Sequence, residues 1–362
     1  MRIAYYVSGH GFGHATRSCV VAAALAAEHD VWIVSPVAET FLRSNAKAAF
    51  QYRSATLDVG VIQPDSMTPD FPATVTALDL LHRRSRHLVD QEVGWLRALR
   101  IERVLVDIPP LACVAASEAG IQAAVLTNFT WDDIYREYVT SMERFEVSVG
   151  VMGSQYARAS VLLRLPFGTG MEAIREQKTL GMVARVARLD RSVVRARMGL
   201  GQGRVGLLSY GGLGLGNHAP DRWNIPPGWS LISVGGVPGD RNLDDGVRMI
   251  PPELLTRLDL SYTDILAAVD AVLTKPGYGI VSDCVANRTP VLYSDRGPFA
   301  EYPLLVEGIR RFLPNVFLNR EALRTGEVRG ALEQIEGAAW PAESMKALTP
   351  REIRDRIGAI LA

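Results

Sequence analysis

The chain has 362 residues, 48% of them hydrophobic, and its 39 basic residues balance 39 acidic ones. That length exceeds what a single core usually supports, so two domains are expected. A neutral chain without a basic tract argues against nucleic-acid binding, and no apolar run reaches the roughly 18 residues needed to cross a bilayer.

The first apolar run, 2–7, reads as a strand and ends in Ser8-Gly9-His10-Gly11-Phe12-Gly13-His14, ahead of a helix over 14–28. The glycines permit a sharp turn and a close approach to a ligand. His10 and His14 stand where open α/β sheets bind ligands, at the carboxyl end of a strand. A histidine there is a candidate general base, because it titrates near neutrality. Further strands are predicted at 31–35, 103–107, 122–127 and 160–165, and helices at 38–46, 76–99, 110–119 and 132–147. Buried β-rich runs alternating with helices imply a parallel sheet with right-handed crossovers. The stretch 81–100, with Arg83, Arg84, Arg86, Arg97 and Arg100 beside Leu88, Val89, Trp95 and Leu96, reads as a solvated helix with its apolar stripe in the core. Peripheral membrane contact is the alternative for that helix.

Leu165-Pro166-Phe167-Gly168-Thr169-Gly170 reads as a linker. A second cycle follows, with strands at 204–209, 230–234, 246–250, 270–274, 290–293 and 315–318. Its helices are predicted at 262–269, 279–286, 301–309, 320–325 and 327–336, with a last one opened by Pro350. The strand 204–209 runs into a glycine cluster containing Gly211 and Gly212, a candidate anion-binding concavity of backbone amides or an ordinary turn. The strand 270–274 runs into Lys275-Pro276-Gly277-Tyr278-Gly279 and then a helix, whose free amides suit a diphosphate. Lys275, one of four lysines, reads as a solvated charge on this turn. Asp283, a turn later, is a candidate partner for ribose hydroxyls, or a favourable first-turn acid. Glu301, in the polar loop after 290–293, is a candidate for holding sugar hydroxyls, or an ordinary helix-start residue.

The segments YYVSGHGFGHATRS, VDIPPLACVAASEAGIQAAVLTNFTWDDIY and DAVLTKPGYGIVSDCVANRTPVLY together resemble the GT-B glycosyltransferases. The resemblance covers roughly 1–345. It extends to the peptidoglycan N-acetylglucosaminyltransferase group and, more strongly, to the glycosyltransferase-like half of arabinokinases. It implies an α/β fold of two Rossmann-like domains facing across a cleft. Residues 1–178 would bind the acceptor and 179–345 the nucleotide-sugar, with a C-terminal helix at 346–362 packing back on the first domain.

The implied reaction is an inverting transfer of a hexosyl or pentosyl group to an acceptor hydroxyl or amine. His14 matches the family's base; His10 is an extra histidine and the second candidate. Asp107, ending the strand 103–107, would orient the histidine, as some related transferases arrange it; otherwise it caps the following helix. Asn128, Thr130 and Trp131 would shape the acceptor pocket, with Trp131 either stacking on a sugar or sitting in the core. Gly211, Gly212, Gly277, Tyr278 and Gly279 would cradle the diphosphate, and main-chain groups near Met249 and Ile250 would read the nucleobase. No Asp-x-Asp triplet occurs, so no metal and no cofactor beyond the nucleotide-sugar co-substrate is expected.

A nucleotide-sugar epimerase or hydrolase and a non-catalytic sugar-nucleotide sensor share these features. A dinucleotide oxidoreductase fits poorly, since two histidines interrupt the glycine fingerprint and no acid ends the second strand. Cys19, Cys113 and Cys284 are too scattered for a disulfide framework or metal knuckle. The first strand begins at once, leaving no room for a signal peptide, so a cytoplasmic location is expected.

Overall fold

In the computed structural model, residues 1–65, 68–211, 220, 222–235 and 247–361 are described. The first half contains strands β1 (Arg2–Val7), β2 (Asp30–Val34), β3 (Gln51–Arg53), β4 (Arg103–Asp107), β5 (Ala123–Thr127), β6 (Val161–Arg164) and β7 (Gln177–Thr179). Between them lie helices α1 (Gly11–Leu25), α2 (Glu39–Ala46), α3 (Phe71–Ala98), α4 (Pro110–Ala119), α5 (Trp131–Tyr138) and α6 (Phe145–Tyr156). The strands form one parallel sheet in the order β3-β2-β1-β4-β5-β6-β7. The order reverses between β1 and β4, where Val7 stands beside Asp107. Ligands of doubly wound sheets bind at this kind of reversal.

The second half opens with α7 (Arg191–Met198) and continues through β8 (Arg204–Ser209), β9 (Trp229–Val234), β10 (Val247–Ile250), α8 (Pro252–Arg257) and α9 (Tyr262–Ala268). It closes with β11 (Ala271–Thr274), α10 (Tyr278–Asn287), β12 (Val291–Ser294), α11 (Tyr302–Phe312), β13 (Asn315–Leu318), α12 (Arg320–Thr325) and α13 (Arg329–Glu336). Its parallel sheet runs β10-β9-β8-β11-β12-β13, and the reversal falls between β8 and β11, where Ser209 pairs with Thr274. The central strands are buried on both faces, which is why they read as continuous apolar runs.

Four departures from the sequence reading have physical reasons. Helix α1 begins at Gly11 rather than at 14, because the glycine turn is itself the helix N-terminus. The predicted helix over 132–147 breaks into α5 and α6, with the Tyr138 carbonyl accepting from Ser141 and Met142 in the turn. This reversal lets the Tyr138 and Phe145 rings both pack on Phe71. The edge strands β3 and β7 are only three residues long, too short to show a period. Because β7 pairs with β6, the 165–170 segment is a loop inside the first half and not the linker.

The chain crosses between halves at 180–190, pinned by Leu180, Met182 and Val183 in the core. The final helix α14 (Pro350–Leu361) buries Ile353, Ile357 and Leu361 and returns to the first half. There Arg354 pairs with Glu28 at 2.9 Å and the Arg103 side chain donates to the Leu361 carbonyl. Helix α3 buries Val75, Leu78, Leu81, Val89 and Leu96 and leaves Arg83, Arg84 and Arg86 in solvent. Among the described residues no helix is long and apolar enough to cross a membrane.

Candidate active site

The two sheet reversals face each other. The first turn of α1 abuts the first turn of α10 so closely that a Cβ on Gly279 would lie 3.2 Å from Gly13 Cα and 3.5 Å from Thr16 Oγ1. The α1 turn carries His14 and, one turn on, Arg17, on the same helix face. His14 is 5% exposed, and its Nδ1 lies 2.7 Å from Asp107 Oδ1.

Arg17 decides how that histidine is protonated. Its Nε donates to Asp107 Oδ2 at 2.6 Å and its Nη1 to Asn128 Oδ1 at 2.5 Å. Its Nη2 donates to Asp107 Oδ1 and to Thr127 Oγ1 at 2.9 Å, which uses both of its hydrogens. Although Nη2 also lies 2.8 Å from His14 Nδ1, no hydrogen remains for that contact. His14 Nδ1 therefore carries the proton and donates to Asp107, leaving Nε2 with its lone pair. Asp107 is fully buried and also accepts from Ser18 at 2.9 Å. Burial pushes its pKa up, but Arg17 and His14 outweigh burial and bring it down to about 2. The carboxylate stays ionised at any working pH.

His10 is placed differently. Its ring meets the edge of Trp131 at 5.1 Å and fits against Gly60, where a Cβ would come within 2.5 Å of His10 Nδ1. Burial, then His14, Arg296 and Lys275, lower its pKa to about 3. Lys275 is half-buried and not the solvated charge expected from sequence. Burial and Arg296 bring its pKa to about 7 against the opposing pull of Glu301 and Asp65.

Asn128 and Trp131 lie beside the histidines but are fully buried. Asn128 accepts from Arg17 and donates to Glu301 Oε2 at 2.8 Å. Trp131 donates through Nε1 to Asp58 at 2.9 Å and stacks on Tyr135, so its ring is core and not an open platform for a sugar. Thr130 is the buried N-cap residue of α5.

On the opposite side, Gly277 caps α10 and Gly279 lies in its first turn, against Gly13. The Tyr278 side chain is a packing element, with its ring under Arg17 at 5.0 Å and its hydroxyl accepting from Val183 N at 3.3 Å. Gly211 follows β8 with a positive φ of 74°, and Gly212 lies outside the described residues.

Two carboxylates require correction. Asp283 does not face a ligand: both of its oxygens accept from Arg185, at 2.8 and 2.9 Å, so it fastens the crossing segment to α10. Glu301 is 2% exposed and its two oxygens are held by Asn128 and Arg296, which ties the two halves together instead of facing a sugar. Met249 and Ile250 end β10; Ile250 is core, and its carbonyl already accepts from Gly235 N at 3.0 Å. Sequence reasoning missed Arg17, Asp58 and Arg296. Arg17 left a signal, a lone arginine within the apolar stretch of α1; Asp58 and Arg296 sit in loops without one.

Gly279→Val tests the junction. Gly13 Cα is backbone and cannot rotate away, so the variant is expected to lose about 1–3 kcal/mol in urea denaturation. Gly94→Ala on α3, where a Cβ meets nothing within 4 Å, serves as the control. Equal losses would mean the halves do not meet at Gly13.

Comparison with solved structures matches this architecture over its whole length. The calicheamicin glycosyltransferase CalG4 superposes with a TM-score of 0.61, covering 100% of this chain and 94% of that one at 14% identity. The chain has the GT-B glycosyltransferase fold. The glycosyltransferase SnogD from Streptomyces nogalater gives a TM-score of 0.60 at 14% identity, covering both chains fully. UGT2 of Phytolacca americana, solved with UDP-2-fluoroglucose and pterostilbene, gives 0.59 at 12% identity over 99% of each chain. Residues 1–128 match the glycosyl transferase family 1 model. The L-arabinokinase of Arabidopsis thaliana is 32% identical over 342 residues, which is 91% of this chain and 32% of that protein. The chain thus spans about a third of that relative's length.

Proposed function

We propose that this GT-B chain is an inverting glycosyltransferase that moves a sugar from a nucleotide diphosphate donor to an acceptor hydroxyl or amine. The observation that carries the reading is the His14–Asp107 pair at one sheet reversal, set directly against the N-terminus of α10 at the other. His14 Nε2 takes the acceptor's proton as the acceptor atom bonds to the anomeric carbon. The bond from that carbon to the diphosphate oxygen breaks on the opposite face, and the nucleotide diphosphate leaves. Asp107 holds the Nδ1–H tautomer and stabilises the imidazolium that forms. His10 suits the base role poorly, since a group titrating near 3 binds a proton weakly at neutral pH and, among the described residues, no carboxylate is hydrogen-bonded to its ring.

Charge on the leaving diphosphate is met by the α10 amides around Gly277 and Gly279, with Lys275 and Arg296 beside them. These groups let the reaction proceed without a metal. The partners are a nucleotide-sugar and a small-molecule or glycan acceptor. The buried free thiols of Cys19, Cys113 and Cys284 fit a reducing compartment such as the cytoplasm.

A thermal-shift screen against UDP-, dTDP-, GDP-, ADP- and CDP-sugars, with NAD as control, tests the reading. A ligand at a hundred times its dissociation constant adds about 2.7 kcal/mol of stability. One nucleotide family is expected to shift the melting point, and its diphosphate to be released when an acceptor is added. A shift without turnover under any acceptor would make the chain a sugar-nucleotide sensor; a shift with NAD alone would overturn the reading.

A further inference from the structure

The catalytic pair is wired to the opposite half of the molecule. Starting at the α10 turn, the Pro276 carbonyl accepts from Arg296 Nη1 at 2.9 Å, and Arg296 also pairs with Glu301 Oε1. Glu301 Oε2 accepts from Asn128 Nδ2 at 2.8 Å, and Asn128 Oδ1 accepts from Arg17 Nη1. Arg17 in turn grips Asp107, which holds His14. Every side chain in this series is at least nine-tenths buried. Its polarity has only one solution. Arg17 can only donate, so Asn128 must present its oxygen to Arg17 and its amide hydrogens to Glu301.

We propose that Glu301 is a positioning residue. Through Asn128 and Arg17 it fixes the hydrogen-bonding state of His14, so that the base is set for proton transfer only while the turn at 275–279 is docked against the first half. The proposal rests on the reading of His14 as the base.

Glu301→Gln breaks the series whichever way the new amide turns. With its oxygen toward Asn128, its NH2 opposes Arg296; with its oxygen toward Arg296, its NH2 opposes Asn128. Once Asn128 no longer holds Nη1, the Arg17 guanidinium can turn on Asp107, an Nη2 hydrogen passes from Thr127 to His14 Nδ1, 2.8 Å away, and the histidine proton moves to Nε2. The groups facing His14 are Arg17 on its own helix, Asp107 on β4, and His10 and Asp58 from the loops.

The test is NMR of the full chain with 15N-labelled histidine, where the His14 signals among six histidines are identified by their loss in His14→Gln. Wild type is expected to show the Nδ1–H tautomer. Glu301→Gln should shift His14 toward Nε2–H. Asn128→Ala, which changes no charge, should shift the tautomer in the same way, and the double variant should match either single one. An unmoved His14 in a folded Glu301→Gln, or an effect of Glu301→Gln that Asn128→Ala does not share, overturns the proposal. Should Glu301→Gln fail to fold, Asn128→Ala alone decides it by the same signal.

With a donor in hand, Glu301→Gln is expected to lower kcat about tenfold with little change in donor KM. A rise in KM confined to particular donor sugars, with His14 unmoved, would place Glu301 at the sugar and overturn the proposal. Failure of the transferase reading would show separately, as a wild type that binds no nucleotide-sugar, and leaves the NMR comparison interpretable.

Discussion

His14→Ala is expected to lower turnover by about a hundredfold or more while leaving nucleotide-sugar affinity almost unchanged. The asymmetry follows from where His14 stands. It lies on α1 of the first half, bonded to Asp107 on β4, while the groups proposed for the diphosphate, the 275–279 turn and Arg296, lie in the second half. With His14 as the proposed base, loss of the imidazole removes the proton acceptor without removing an amide or cation from the proposed donor side. The experiment pairs steady-state kinetics with calorimetric titration of the donor. His14→Gln separates proton acceptance from space filling, since glutamine fills the site but cannot take a proton. If donor binding collapses in step with turnover, His14 is a binding or structural residue. If turnover survives in both variants, another group is the base.

The second large effect is on stability. Asp107 is fully buried and its charge is matched by Arg17, which is 3% exposed. Removing one partner of such a pair strands the other charge, so Asp107→Ala is expected to cost about 3–5 kcal/mol in denaturant unfolding as well as most of the activity. Replacing both partners, as in Asp107→Leu with Arg17→Met, should recover much of the stability and none of the activity, because no charge is then left unpaired. A double variant as unstable as Asp107→Ala would show that the loss comes from packing instead.

The pH dependence has a definite sign. The folded pKa of Asp107 is held at about 2, below the unfolded value of roughly 3.9. The contribution of this group is therefore fully present above about pH 4 and is lost as pH falls through 2. Unfolding measured from pH 6 to pH 2 should show wild type losing its advantage over Asp107→Ala across that window. A constant difference down to pH 2 would mean that Asp107 does not carry the stabilisation.

The resemblance to GT-B enzymes and the two-sheet α/β fold are legible in the chain for a local reason. Buried parallel strands are uninterrupted apolar runs, and the turns after β1 and β11 are written in glycine. The candidate histidines could be picked out because a strand-turn-helix with His10 and His14 needs only a dozen consecutive residues to be seen. Lys275, Asp283 and Glu301 read misleadingly for the opposite reason. Sequence shows that a charged side chain lies near a turn, but not what neutralises it. Arg185 lies 98 residues from Asp283, and Asn128 lies 173 residues from Glu301.

By itself, then, the sequence determined the alternation of strands and helices, the two glycine turns and the presence of a histidine at the first of them. These follow from short-range sterics and the period of apolar burial, which act within a few residues. Tertiary structure alone decided that Arg17 stands between His14 and Asn128, that His14 carries its proton on Nδ1, and that Glu301 joins the two halves. Those facts depend on which donors and acceptors close packing brings within about 3 Å, a matter of long-range geometry that no local pattern encodes.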